Sequence, residues 1–271
     1  MILSYFYQSS GLGNQLFRIV ATRVKALDLG VDWGMIYVPN DASKDKGFKG
    51  ESFMDINWQV QEDKFLESNL GKPNGTIKYW NEKKVVENGV DIRGYDPEFN
   101  FIEDNTIIDG EFQDERYWEH QEKEVNEWLK VEPLEMPDDL CVISHRGGEF
   151  AVFPDLFLPT EYWNYAISEM RKINPNMKFQ VQTDDVITAK KQFPEFEIIH
   201  DIGYNWRAIR YANYLIVGNS SFSILPSWLG KAKKIFAPKY HARHNTGVWC
   251  MNQNFYKKYT YIDRSQYASS I

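Results

Sequence analysis

Four short stretches of this 271-residue chain gather residue types that bind or move charge. In "SSGLGNQLF", which follows the apolar run "ILSYFY", Gly11 and Gly13 permit a tight turn, while Asn14 and Gln15 carry amides that donate and accept together. Such side chains suit a sugar or a nucleotide edge. In "SHRGGEF", Arg146 stands between His145 and the pair Gly147 and Gly148, so a phosphate can approach a guanidinium and backbone N–H groups at once. Glu149 and Asp155 follow as the neighbouring carboxylates, the candidates for a base that takes a proton. In "QTDD", Asp184 and Asp185 are suited to cap a helix or to accept from a base or ribose. In "GNSSFS", Asn219, Ser220, Ser221, Phe222 and Ser223 open a helix, where N–H groups are unpaired and anions are favoured. Each stretch also has an ordinary use: helix capping for Asn14, Ser220 or Ser221, a surface ion pair for Arg146.

Several chemistries are disfavoured. Leu16 stands where a dinucleotide fingerprint needs its third glycine, which counts against a nicotinamide oxidoreductase. His120, His200, His241 and His244 are scattered, and Asp184 and Asp185 have no third ligand at useful spacing, so no metal site is assigned. Cys141 and Cys250 form neither a metal motif nor a disulfide framework. A net charge of −7 argues against a general nucleic-acid binder, leaving an anionic ligand to local donors. The 9 Trp, 16 Tyr and 17 Phe tilt the balance slightly towards carbohydrate, on which such rings stack. No apolar run reaches the roughly 18 residues that span a bilayer, and no leader pattern opens the chain, so a cytoplasmic location is expected.

The elements that must position these residues alternate. "ILSYFY", "WGMIYV", "TIKYW" and "NTIID" read as strands in the first half, with a less regular stretch at "NDASKDKGFKGESF". "QDERYWEHQEKEVNEWLKV" reads as one amphipathic helix, and the Pro-rich, acidic "EPLEMPDD" after it as a linker. Domains are therefore expected at 1–136 and 137–271. In the second half, "LCVISH", "KFQVQT", "EIIH", "YLIVG" and "KKIFAP" alternate with four helical patterns, which predicts a doubly wound parallel sheet. Its ligands belong beyond the carboxyl ends of the strands, where the polar stretches fall. Pro226 sets the last of these helices to begin after the serines.

Together the stretches resemble glycosyltransferase family 11, the α1,2-fucosyltransferases. "SGLGNQLF" is similar to the family's G-G-L-G-N-Q-x-F turn, with Ser10 for the first Gly. "GEFQDERY" resembles G-x-x-Q-S-E-x-Y through Gly110, Gln113, Glu115 and Tyr117. "SHRGGEF", "QTDD" and "NSSFSIL" resemble H-x-R-R-G-D, S-D-D and N-S-S-F-S-W-W. Ser144, Gly147 and Glu149 depart from the family's His, second Arg and Asp. The resemblance implies a GT-B fold, two Rossmann-like domains facing across a cleft, with the nucleotide sugar in the second. It implies GDP-L-fucose as donor, no cofactor or metal, and inverting transfer to the 2-hydroxyl of a terminal galactose in a glycan acceptor. Arg146 would neutralise the departing diphosphate, Ser221 and Ser223 would assist it, Asp184 or Asp185 would touch guanosine, and Asn14 and Gln15 would line the opposite side near fucose or acceptor. Alternatives are a catalytically weak or inactive relative that binds GDP-sugar or glycan, and a transferase using another GDP-sugar.

Overall fold

The computed structural model describes residues 1–39, 47–56, 77–87, 90–153, 156–242, 249–251 and 256–268. The chain divides into two compact units, one of Met1–Val85 with Arg93–Val131 and one of Val86–Ile92 with Glu132–Ile271. Both are α/β and built on parallel sheets.

In the first unit β1 (Ile2–Tyr7), β2 (Trp33–Val38), β3 (Lys78–Asn81) and β6 (Thr106–Asp109) form a sheet in the order β2-β1-β6-β3. A separate two-stranded ribbon joins β4 (Lys84–Glu87) to β5 (Val90–Arg93), and its residues Val86–Ile92 belong to the second unit. Helix α1 (Leu12–Leu29) crosses from β1 to β2, burying Leu16, Phe17, Val20 and Val24 at helical spacing. It stops at Gly30, whose φ of 65° is left-handed and whose N–H returns to Leu27 and Ala26, a C-terminal cap that glycine adopts without strain. The predicted long helix at 113–131 is instead two 3₁₀ turns, 115–117 and 119–121, followed by α2 (Glu122–Trp128). Tyr117 and Trp118 are both fully buried. The break falls at Trp118, whose φ of −145° leaves helical geometry between the two turns.

In the second unit β7 (Leu140–Ser144), β8 (Lys178–Gln182), β9 (Glu197–Ile199), β10 (Tyr214–Val217), β11 (Lys234–Pro238) and β14 (Thr260–Ile262) form a sheet in the order β14-β11-β10-β7-β8-β9, all pairs parallel. The strands alternate with α3 (Gly148–Val152), α4 (Thr160–Ile173), α5 (Val186–Gln192), α6 (Ile202–Tyr211) and α7 (Ile224–Leu229), and β12 (Tyr240–Ala242) pairs antiparallel with β13 (Trp249–Met251). Alternate strand residues feed opposite cores. Cys141, Ile143, Val181 and Ile216 pack with Tyr162, Trp163 and Met170 of α4, while Val142, Leu215 and Val217 pack with Ala208 and Ile209 of α6. The sheet is doubly wound, as the alternation predicts. Helix α6 begins at Ile202, where Asp201 accepts from the Tyr204 N–H at 2.6 Å and caps it.

The first unit is pinned by a buried ion pair at its strand ends. Arg18, 5 % exposed on α1, donates through Nη1 to Asp109 at 2.5 Å, and its guanidinium lies 4.6 Å from the Tyr7 ring. Burial and the Asp109 charge push the Tyr7 phenol up. Removing one partner of such a pair strands the other in a low dielectric. Asp109→Ala is expected to cost about 3 kcal/mol in chemical denaturation, and the Arg18→Met/Asp109→Ala double variant to recover most of it.

Candidate functional site

The strand order of the second unit has one reversal. From β7 the chain proceeds to β8 and β9 on one side, and from β10 to β11 and β14 on the other. Open parallel sheets bind ligands in the crevice at that reversal, beyond the carboxyl ends. Register aligns those ends: Ser144 pairs with Gln182 and Val217, and Gln182 with Ile199. The next residues continue the ladder, His145 N–H donating to Gln182 and Thr183 N–H to Ile199, while Gly218 N–H donates to Ser144 at 3.0 Å. A Cβ on Gly218 would come within 3.2 Å of the Ser144 carbonyl. A cavity of about 340 Å³ opens over these ends, lined by Arg146, Gln182, Asp184, Asp201, Asn205 and Phe222 among others.

One wall is the loop after β7. Arg146, with a side chain 32 % exposed, places Nη1 2.6 Å from Asp184 Oδ2 and Nη2 3.5 Å from Glu149. Gly147 N–H donates to Asp184 at 2.8 Å and Gly148 N–H to Asp185 at 3.3 Å. Both glycines are required by the close approach. A Cβ on Gly147 would lie 2.2 Å from Thr188 Oγ1 and 2.6 Å from Asp185 Cβ, and Gly148 has a φ of 46° with Asp184 Oδ2 2.6 Å from its missing Cβ. Asp185 also accepts from the Ile187 and Thr188 N–H groups as the cap of α5. Burial pushes its carboxyl up, but the bonds from Thr188, Ile187 and Gly148 outweigh that and hold it below the usual range.

His145 turns away from charge. Its Nδ1 bonds Thr183 Oγ1 at 2.8 Å, and Phe157, Trp163 and Phe193 surround the ring at 5.7 to 5.9 Å. Nε2 has no partner of good geometry, though the Gln192 side chain lies near enough to raise its proton affinity. Burial dominates and pushes the imidazole down to about 4, so it is neutral.

Another wall follows β10. Ser220 caps the turn Ser221–Ser223 by accepting from Phe222 N–H, the Ser223 hydroxyl donates to the Ser220 carbonyl, and Asn219 donates to Leu156. Ser220 and Phe222 line the cavity, while Ser223 is fully buried beneath it. As the proline implies, α7 starts after the serines, at Ile224. The floor was not evident from the motifs. Gln182 is 2 % exposed and Asn205 5 %, and their acceptors Oε1 and Oδ1 are buried and receive no hydrogen bond among the described residues. Their amide groups donate to Gln180 and the Thr183 carbonyl. A glutamine at the end of β8, and an asparagine on the buried face of α6, were the available sequence signals.

In the first unit the glycine-amide turn is mostly structural. Gln15, 1 % exposed, donates to the Gly47 carbonyl and accepts from Lys49 N–H, bracing that loop. Asn14 accepts from Gln113, which ties the first motif to "GEFQDERY". Gly11 has a φ of −64° and nothing within 4 Å of a built Cβ, and Gly13 lies buried in the first turn of α1. Asp155 lies outside the described residues. Among the described residues no group of three or more His, Cys, Asp and Glu is placed to hold a metal, and no helix is long and apolar enough to cross a membrane.

No family model matches the chain, and no curated protein does. Solved structures to which it is similar include a family 9 glycosyl transferase from Veillonella parvula, at 11% identity and a TM-score of 0.48, covering 100% of this chain and 88% of that one. A mutant of Arabidopsis thaliana FUT1 in complex with GDP is 11% identical at a TM-score of 0.48, covering 89% and 70%. The E. coli heptosyltransferase WaaC with ADP is 11% identical at a TM-score of 0.45, covering 97% and 91%.

Two outcomes test this geometry. Gly147→Ala is expected to cost about 1–3 kcal/mol in thermal or urea unfolding through overpacking against Thr188 and Asp185. His145 is held below its ordinary 6.5, so its contribution is complete above that pH and is lost as pH falls towards 4. Unfolding at pH 7 and pH 4.5 should show the wild type losing more stability than His145→Gln, by up to about 3 kcal/mol.

Proposed function

We propose that this chain is a GT-B glycosyltransferase that takes a GDP-sugar in the cavity of the second unit. GDP-L-fucose is the donor, and the acceptor is the 2-hydroxyl of a terminal galactose in a glycan. The observation that carries the nucleotide reading is one cavity, at the reversal of a parallel sheet, lined by Arg146 together with the polar side chains Gln182, Asp184 and Asn205. A ligand answering that lining needs an anionic group and hydrogen-bonding N–H groups. Guanine offers ring and exocyclic N–H groups on one edge, and the diphosphate offers the charge that answers Arg146. Fucose and galactose are supported by the motif resemblance alone.

In the reaction the galactose hydroxyl attacks C1 of fucose opposite the diphosphate. The C1–O bond to the β-phosphate breaks, and GDP leaves with the electron pair. Arg146 neutralises the charge that develops there. The hydroxyl proton passes to a carboxylate, a role we assign to Glu149, which lies 3.5 Å from Arg146 and is 60 % exposed. Ser220 and Ser221 attend the phosphates. One observation favours a second reading, nucleotide-sugar binding without turnover: Nη1 and Nη2 of Arg146 both face carboxylates.

The test is incubation with GDP-fucose and a panel of β-galactosides in EDTA, read by mass spectrometry, beside calorimetry with GDP. A fucosylated product is expected, with Arg146→Ala about 10- to 100-fold slower, the worth of a charge-assisted hydrogen bond. GDP binding without product would favour the second reading. No binding of GDP by folded protein would contradict both.

A further inference from the structure

The two neighbouring carboxylates at the end of β8 are held in different ways. Asp185 is fixed by the first turn of α5, with bonds from Ile187 and Thr188 in addition to Gly148. Asp184 caps nothing. Its partners among the described residues are Arg146 Nη1 at 2.6 Å and Gly147 N–H at 2.8 Å, a guanidinium and a backbone amide converging on one carboxylate. That donor pair is the arrangement that seats a phosphate oxygen. The other polar groups of the loop are also engaged, Gly148 N–H with Asp185 and Arg146 Nη2 facing Glu149. Gly148, with a φ of 46°, leaves room that a Cβ would deny the Asp184 carboxylate.

Taking the cavity as a nucleotide site, as proposed above, we propose that Asp184 is an internal competitor for the diphosphate seat: its carboxylate occupies the donors of Arg146 and Gly147, and the ligand binds by displacing it. The side chain is 30 % exposed and free of the helix, so it can leave by rotation without unfolding a cap. A diphosphate brings more charge and more acceptor oxygens than the carboxylate it replaces. Asp184 therefore sets a threshold that weak monoanions do not pass, and it keeps Arg146 neutralised while the cavity waits for ligand. A residue that only oriented Arg146, or that accepted from ribose or base, would have the opposite effect on affinity when neutralised.

The experiment is calorimetry of the full chain with inorganic pyrophosphate and with GDP, on wild type, Asp184→Asn, Arg146→Ala and Asp201→Asn, each checked for folding by thermal melting. Asp201→Asn removes an equal charge from the same cavity while keeping an α6 cap. Asp184→Asn is expected to bind pyrophosphate up to roughly five-fold tighter than wild type, given that a pair about one-third exposed is worth up to about 1 kcal/mol. Asp201→Asn should gain less, and Arg146→Ala should lose binding. Unchanged or weaker pyrophosphate binding by Asp184→Asn, or an equal gain by Asp201→Asn, overturns the competition while GDP binding by wild type leaves the nucleotide reading standing. If no folded variant binds GDP, the nucleotide reading falls and the competition with it.

Discussion

The second unit depends on how a parallel sheet disposes of the backbone just beyond its strands. When β7 ends, its N–H groups lose their ladder partners, and unpaired buried donors are costly. Here the end of β8 supplies the partners in sequence: the Gln182 carbonyl takes His145 N–H, Asp184 takes Gly147, and Asp185 takes Gly148. Because the strands are in register, one residue of advance on β7 meets one residue of advance on β8. The result is a rigid wall with an arginine on it. The glycines follow from that contact, since any side chain at Gly147 would strike Thr188 and Asp185.

Each unit carries an arginine–aspartate pair at its strand ends, and exposure separates their roles. Arg18 and Asp109 have side chains 7 % and 25 % exposed, so the cation is committed and its loss is felt as stability. Arg146 and Asp184 are 32 % and 30 % exposed, so water screens the pair and an incoming anion can exchange with it at little cost. The same chemistry braces one sheet and leaves the other open to a ligand. Gln15 belongs with the first case: nearly fully buried and bonded to Gly47 and Lys49, it shapes a loop.

Much of the α/β organisation was legible in the sequence, for reasons the structure makes plain. Strands of the second unit are buried on both faces, so they appear as short apolar runs, and the helices between them keep a clean apolar stripe. The residues at 113–131 misled because tryptophan and tyrosine in consecutive positions fit a helical pattern as well as they fit two tight turns. At the site, motif spacing located Arg146, the two aspartates and the serine turn. It did not reveal that Asp184 bonds Arg146, because contacts between adjacent strand ends depend on register. Nor did it single out Gln182 and Asn205, whose place in the cavity lining is a property of the packed fold.

The central claim is that the crevice between β7 and β10 holds a guanine nucleotide, and a crystal structure of the protein with GDP tests it most directly. The account predicts diphosphate density against Arg146 and Gly147, with Asp184 rotated off the guanidinium. Nucleotide bound away from these residues, or bound in the cavity with Asp184 still on Arg146, would contradict it.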